Sequence, residues 1–197
     1  MAVVKKTPLI LLTGFLGSGK TSLLKRWLGD AEFAGAMVIV NEIGEVGLDH
    51  QLLSIGSAPL LLDNGCLCCA LSGDLVSMLE DLFYQRLHRK IPAFSWVLIE
   101  TTGLADPVPI VDLLGAGLVG ERFELAAIVC AFDARQGISV LERHPEARRQ
   151  VEAASVVMIT KADLASSIEV GRSQEAVRRL NPSAAILASM NATVCGA

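Results

Sequence analysis

Basic residues are scarce in this chain: 17 Lys and Arg stand against 21 Asp and Glu in 197 residues, a formal net charge of −4. A nucleic-acid backbone calls for a broad positive face, so that class of partner is set aside. An apolar run of the about 20 residues needed to cross a bilayer is missing too. The stretch from Leu9 to Leu12 is far shorter. Lys5 and Lys6 before it and small residues after it imitate a secretory leader, but cleavage there would destroy the glycine-rich stretch that follows. The expectation is a cytoplasmic chain with no membrane partner. Nor is there a disulfide framework, because Cys66, Cys68 and Cys69 crowd together and adjacent Cys68 and Cys69 are poorly placed to pair. Internal repeats and low-complexity linkers are absent as well. The three histidines, His50, His88 and His144, are scattered, and only His50 lies near a candidate loop.

What is present is an apolar content of 52%, enough to bury a sizeable core in one medium domain. Strand-like runs at 8–13, 36–41, 60–62, 95–99, 125–132, 155–159 and 184–187 alternate with helical patterns at 20–28, 73–90, 107–114, 146–154 and 173–180. Such alternation predicts an α/β fold, a mostly parallel sheet with right-handed crossovers and helices on both faces. Cys130 falls in an apolar run and reads as a buried small hydrophobe, while Cys195 has no partner nearby in sequence.

The organising stretch is Gly14-Phe15-Leu16-Gly17-Ser18-Gly19-Lys20-Thr21, directly after the first strand. Its spacing is that of a phosphate-binding P-loop. Gly14, Gly17 and Gly19 let successive N–H groups converge on one concavity, and the helix expected near Lys20 adds its positive end. Lys20 can reach β and γ phosphates, and the Thr21 hydroxyl can ligate Mg2+. Ser18 and Ser22 complete the expected phosphate contacts. Strand 95–99 delivers Glu100-Thr101-Thr102-Gly103, where a carboxylate can hold Mg2+ or orient an attacking water and Gly103 can bring its N–H to a γ-phosphate. A solvated strand-end glutamate is the plainer alternative. Thr160-Lys161-Ala162-Asp163 resembles the guanine-reading tetrapeptide of GTPases, with Asp163 accepting from the N1–H and N2–H edge and the Lys161 stem over the base. Thr160 stands where asparagine is commoner, so one polar contact is lost or passes to a hydroxyl. A surface turn with a Lys–Asp pair is the alternative here.

Asn64-Gly65-Cys66-Leu67-Cys68-Cys69 can direct two or three thiolates at one Zn2+ or Co2+, with a further ligand from water, a carboxylate such as Glu42, or a partner chain. A buried or redox-active thiol cluster remains open. The intervening loop at 41–49 is rich in glycine and carboxylates, which suits a switch ordered by the γ-phosphate with Mg2+ and released on hydrolysis.

Taken together, the P-loop at 14–21, NEIGEVG at 41–47, GCLCC at 65–69, ETTGLADP at 100–107 and TKAD at 160–163 resemble the CobW family of P-loop GTPases, relatives of the urease and hydrogenase accessory GTPases. The resemblance implies a slow GTPase that converts GTP to GDP and acts as a metallochaperone or metal insertase for a client metalloprotein. A homodimer is compatible with it. It places phosphate and Mg2+ roles on Lys20 and Thr21, hydrolysis on Glu100 and Gly103, guanine reading on Lys161 and Asp163, and metal binding on Cys66, Cys68, Cys69 and Glu42. The expectation for 1–197 is a single GTP-binding domain without the smaller C-terminal domain usual in the family. A nucleotide-gated metal sensor is the competing reading; a small-molecule kinase fits the P-loop but not the cysteine turn or TKAD.

Overall fold

A computed structural model describes residues 5–40, 53–55, 58–60 and 73–188. The expected switch at 41–49, Glu42, His50, the cysteine turn with Cys66, Cys68 and Cys69, and Cys195 lie outside these residues. The strands are β1 (Thr7–Thr13), β2 (Met37–Val40), β3 (Leu53–Ile55), β4 (Ala58–Leu60), β5 (Val97–Glu100), β6 (Phe123–Asp133), β7 (Val156–Thr160) and β8 (Ala185–Ala188). They form one sheet in the order β4-β3-β2-β5-β1-β6-β7-β8. The run from β2 to β8 is parallel, and β3 and β4 extend the β2 edge as antiparallel strands.

The helices are α1 (Lys20–Trp27), α2 (Gly73–Leu87), α3 (Pro107–Leu114), α4 (Gly117–Arg122), α5 (Gly137–Arg143), α6 (Pro145–Ala153) and α7 (Ser167–Leu180). Alternation along β1 explains the layering, because successive side chains leave a strand on opposite faces. Leu9 and Leu11 join a core with Leu79 and Leu82 of α2, Leu114 of α3 and Val119 of α4. Ile10 and Leu12 turn to the other face and pack with Leu23, Leu24 and Trp27 of α1. Near β7, Val157 and Ile159 pack with Ala147 and Val151 of α6 and Val177 of α7. Helices therefore cover both faces, as the apolar strands require. Among the described residues no helix is long and apolar enough to cross a membrane.

The differences from the sequence reading are local. Helix α7 starts at Ser167, six residues before the expected start at 173, because Ser166 and Glu169 form a reciprocal capping box. Helices α4 and α5 were not expected; six and seven residues leave too little periodicity to read. Strand β3 was missed for the same reason, and of the strand expected at 60–62 only Leu60, the last residue of β4, falls within the described residues.

Candidate nucleotide site

Parallel order puts the carboxyl ends of β1, β5, β6 and β7 side by side, and the loops that leave them make the site. β1 ends at Thr13 and turns at Gly14, whose φ is +138°. A Cβ at Gly14 would lie 2.5 Å from the Ala131 carbonyl oxygen on β6, so only glycine fits this close pass. The loop then enters α1 through Gly19, which offers no side-chain cap, and no acidic residue occupies the first turn. The positive end of the helix dipole and its first N–H groups are thus presented toward the loop.

Lys20 is buried, and its Nζ donates to the carbonyls of Gly14 at 3.0 Å and Phe15 at 3.3 Å. The ammonium is solvated by the loop it must serve. Beside it, the Thr21 hydroxyl donates to Glu100 Oε1 at 2.7 Å. Register explains the meeting: Glu100 closes β5 opposite Leu12 of β1, and Thr101 N–H continues the pairing by donating to Leu12 O. Glu100 is fully buried. Val40, the last residue of β2, lies opposite Glu100 on the other side, so the chain heads for residues 41–52 from the same end of the sheet.

Gly103 sits against the phosphate loop so closely that an added Cβ would come within 2.6–2.7 Å of Leu16, its backbone nitrogen included. Glu100 and Gly103 are therefore both brought to the P-loop, from one strand end.

The other wall comes from β7. Thr160 pairs with Asp133 across the β6–β7 ladder. Its hydroxyl donates to the Ser18 carbonyl at 2.6 Å and lies 3.2 Å from the Phe132 carbonyl. The polar link that asparagine would supply is made here by a shorter hydroxyl reaching the phosphate loop directly. Lys161 follows in the left-handed region, φ 55°, and its Nζ contacts Asp133 Oδ2 at 2.7 Å. Left-handed backbone costs a non-glycine residue about 1–2 kcal/mol, so its presence marks a constrained position. Asp163 opens with Thr160 and Lys161 onto a cleft of about 340 Å³, closed on the α1 side by Gly19, Ser22 and Arg26. This cleft lies next to the phosphate loop.

Asp133 escaped the sequence reading. Burial raises its pKa, but hydrogen bonds from the Lys161 ammonium and the N–H groups of Arg135 and Gln136 outweigh that and hold the carboxyl below its usual range. Its position at the carboxyl end of an apolar strand beside the P-loop strand is the same signal that marks Glu100. Gln150 was missed as well. It is fully buried on α6 and donates from Nε2 to the carbonyls of Gly103 and Ala105. Only its helical phase between Ala147 and Val151 could have pointed inward. Cys130 fits the reading of a structural residue: burial pushes its thiol up to about 12, with the Lys20 charge offsetting only part.

The nucleotide-binding domain model described as CobW/HypB/UreG matches residues 8–188. The chain is 35% identical over 178 residues to the zinc chaperone YjiA of Escherichia coli, covering 89% of this chain and 55% of that protein. It is 34% identical over 157 residues to the zinc chaperone CobW of Pseudomonas aeruginosa, covering 74% and 40%. The chain thus spans about half the length of these curated relatives. Among solved structures, the Zn(II)-bound YjiA GTPase from E. coli superimposes with a TM-score of 0.69 at 30% identity, over 98% of this chain and 59% of that one. HypB from Helicobacter pylori in complex with nickel shares the fold, with a TM-score of 0.55 at 18% identity over 93% of this chain and 79% of that one.

Proposed function

The chain belongs to the CobW/HypB/UreG family, and from that premise we propose that it is a GTP-hydrolysing metallochaperone or metal insertase. It captures a transition-metal ion while GTP is bound and releases it to a client metalloprotein after hydrolysis. The observation that carries the reading is the convergence of two walls on one loop. Thr21 and Glu100 meet at 2.7 Å on one side, and Thr160 is bonded to Ser18 beside Lys161 and Asp163 on the other.

In this reading Gly14, Gly17, Ser18 and Gly19 turn N–H groups toward the phosphates, and Lys20 exchanges the Gly14 and Phe15 carbonyls for β and γ oxygens. Ser22 borders the base cleft. Asp163 selects guanine through two hydrogens that adenine cannot offer, and Lys161 covers the base with its stem. Water attacks the γ-phosphorus, the bond to the β–γ bridging oxygen breaks, and GDP and phosphate leave. Gly103 supplies an N–H to the γ-phosphate as charge develops.

The hard oxygens of Thr21 and Glu100, already in contact, are the donor set that fits Mg2+. When bound, Mg2+ neutralises charge on the β and γ oxygens. The cargo is Zn2+ or Co2+ on the thiolates of Cys66, Cys68 and Cys69 with Glu42, a proposal that rests on the sequence. Its support is that relatives at 34–35% identity are named zinc chaperones. The 1–197 chain is proposed to act as a single GTP-binding domain.

Single-turnover hydrolysis of GTP and ATP tests this directly. The expected GTP rate lies near about 10⁻⁴ to 10⁻² s⁻¹, the range of P-loop GTPases without an activator. Asp163→Ala lowers the preference for GTP over ATP by roughly 10- to 100-fold, the worth of charge-assisted hydrogen bonds to the base. Equal use of the two nucleotides by the wild type would sink the guanine assignment. Metal transfer to an apo-enzyme that GTP does not accelerate would favour a sensor instead.

A further inference from the structure

Gln150 is a fully buried polar side chain near the site that the proposed chemistry does not use. Its two Nε2 hydrogens are accounted for: one meets the Gly103 carbonyl at 3.1 Å, the other the Ala105 carbonyl at 3.0 Å. Two carbonyl acceptors fix the carboxamide orientation, because only the NH₂ end can serve them. The Oε1 end therefore points away from the loop, and among the described residues it has no hydrogen-bond partner.

The Ser18 hydroxyl of the phosphate loop is in the same condition. It is buried and has no partner among the described residues. Both residues line one partly open space of about 20 Å³ between the phosphate loop, the end of β6 and α6. One water needs about 10–15 Å³ and at least two polar partners. The space provides the volume, a hydroxyl that can donate and a carbonyl oxygen that accepts. Burying both oxygens dry would leave each without a compensating hydrogen bond.

We propose that Gln150 is a positioning residue: its carboxamide holds the Gly103–Ala105 backbone in register with the phosphate loop, and one buried water joins its Oε1 to the Ser18 hydroxyl. The inference rests on reading Gly103 as the γ-phosphate contact. The need for such a clamp follows from the packing of Gly103 on Leu16, where no room exists even for a methyl group. Small displacements of this loop move its N–H relative to the phosphate. Helix α6 grips the loop a second time through Arg149 and Asp106 at 3.1 Å, but that pair is partly exposed and holds weakly. Gln150 is the buried grip, and it connects the two loops that must recognise the same γ-phosphate.

The clamp predicts a split between nucleotides. Gln150→Met keeps the volume and removes both donors and the acceptor. It binds GDP within about twofold of wild type, yet loses roughly tenfold in affinity for a non-hydrolysable GTP analogue and in kcat. Equal loss for GDP and the analogue, or no loss in either, overturns the proposal, since a merely structural side chain would not separate them. An independent arm needs no variant. In 15N-labelled wild type the Gln150 Nε2 protons exchange at least roughly 100-fold more slowly than a free side-chain amide, and exchange at the free rate overturns the clamp. A dry cavity in a high-resolution crystal structure overturns the water link. Should the wild type neither bind nor hydrolyse GTP, the functional reading fails by that result alone. The clamp is then judged by amide exchange over residues 103–106, which Gln150→Met accelerates roughly tenfold while β7 stays protected. Unchanged exchange there overturns it.

Discussion

Thr160 shows how a one-residue departure from a familiar pattern is absorbed. A threonine hydroxyl is shorter than an asparagine amide, but β7 ends close enough to the phosphate loop for Oγ1 to reach Ser18 O. The following residue, Lys161, holds left-handed backbone and an ammonium fixed on Asp133. That makes the Asp133 charge part of the proposed base-binding wall. Its carboxyl titrates below the ordinary value of 3.8, so the folded state binds fewer protons there than the unfolded state as pH falls. The stability it contributes is fully present above pH 3.8 and is lost as pH drops through the lower folded value. Urea denaturation of wild type and Asp133→Asn across pH checks this. The variant is less stable near neutral pH, and the gap closes below pH 3.8. A gap that stays constant with pH would show that the charge is not what holds Lys161.

At the scale of elements, the β1–loop–α1 unit was the most legible part of the chain, because each of its residues has a local reason. Gly14 also has a distant one. Its left-handed φ could be anticipated from the motif; the Ala131 carbonyl 2.5 Å from where a Cβ would sit could not. Gly14→Ala therefore combines backbone strain of about 1–3 kcal/mol with a clash against a strand that cannot retreat. Guanine-nucleotide affinity measured by calorimetry is expected to fall by roughly 10- to 100-fold or more. A near-wild-type affinity would mean the β1–β6 approach is softer than the packing indicates. Long apolar strands and the proline-started α3 were readable for the same local reasons. The antiparallel strand β3, helices α4 and α5, and the inward side of α6 were not, because their signals are short or tertiary. Asp133 and Gln150 belong to that second class: each works on a residue far along the chain, Lys161 in one case and Gly103 in the other.

For the whole molecule the question is whether the proposed nucleotide and metal sites influence each other. The sheet provides the shared point: Glu100 lies between Leu12, just before the phosphate loop, and Val40, from which the chain continues toward the proposed metal ligands. If the γ-phosphate biases that continuation, metal and GTP are linked thermodynamically, and the linkage is reciprocal. The factor by which GTP with Mg2+ tightens Co2+ over GDP must equal the factor by which Co2+ tightens GTP over GDP, about 5- to 150-fold for ordinary couplings. Co2+ titration by thiolate absorbance gives the first factor, and nucleotide titration with and without Co2+ gives the second. Both collapse to one in Cys66→Ser, Cys68→Ser and Cys69→Ser, while affinity for GDP alone is unchanged. Unequal factors would place the metal at more than one site. Equal factors of one in the wild type would remove the coupling altogether, and with it the reason for hydrolysis, because only a coupled site lets loss of the γ-phosphate set the metal free.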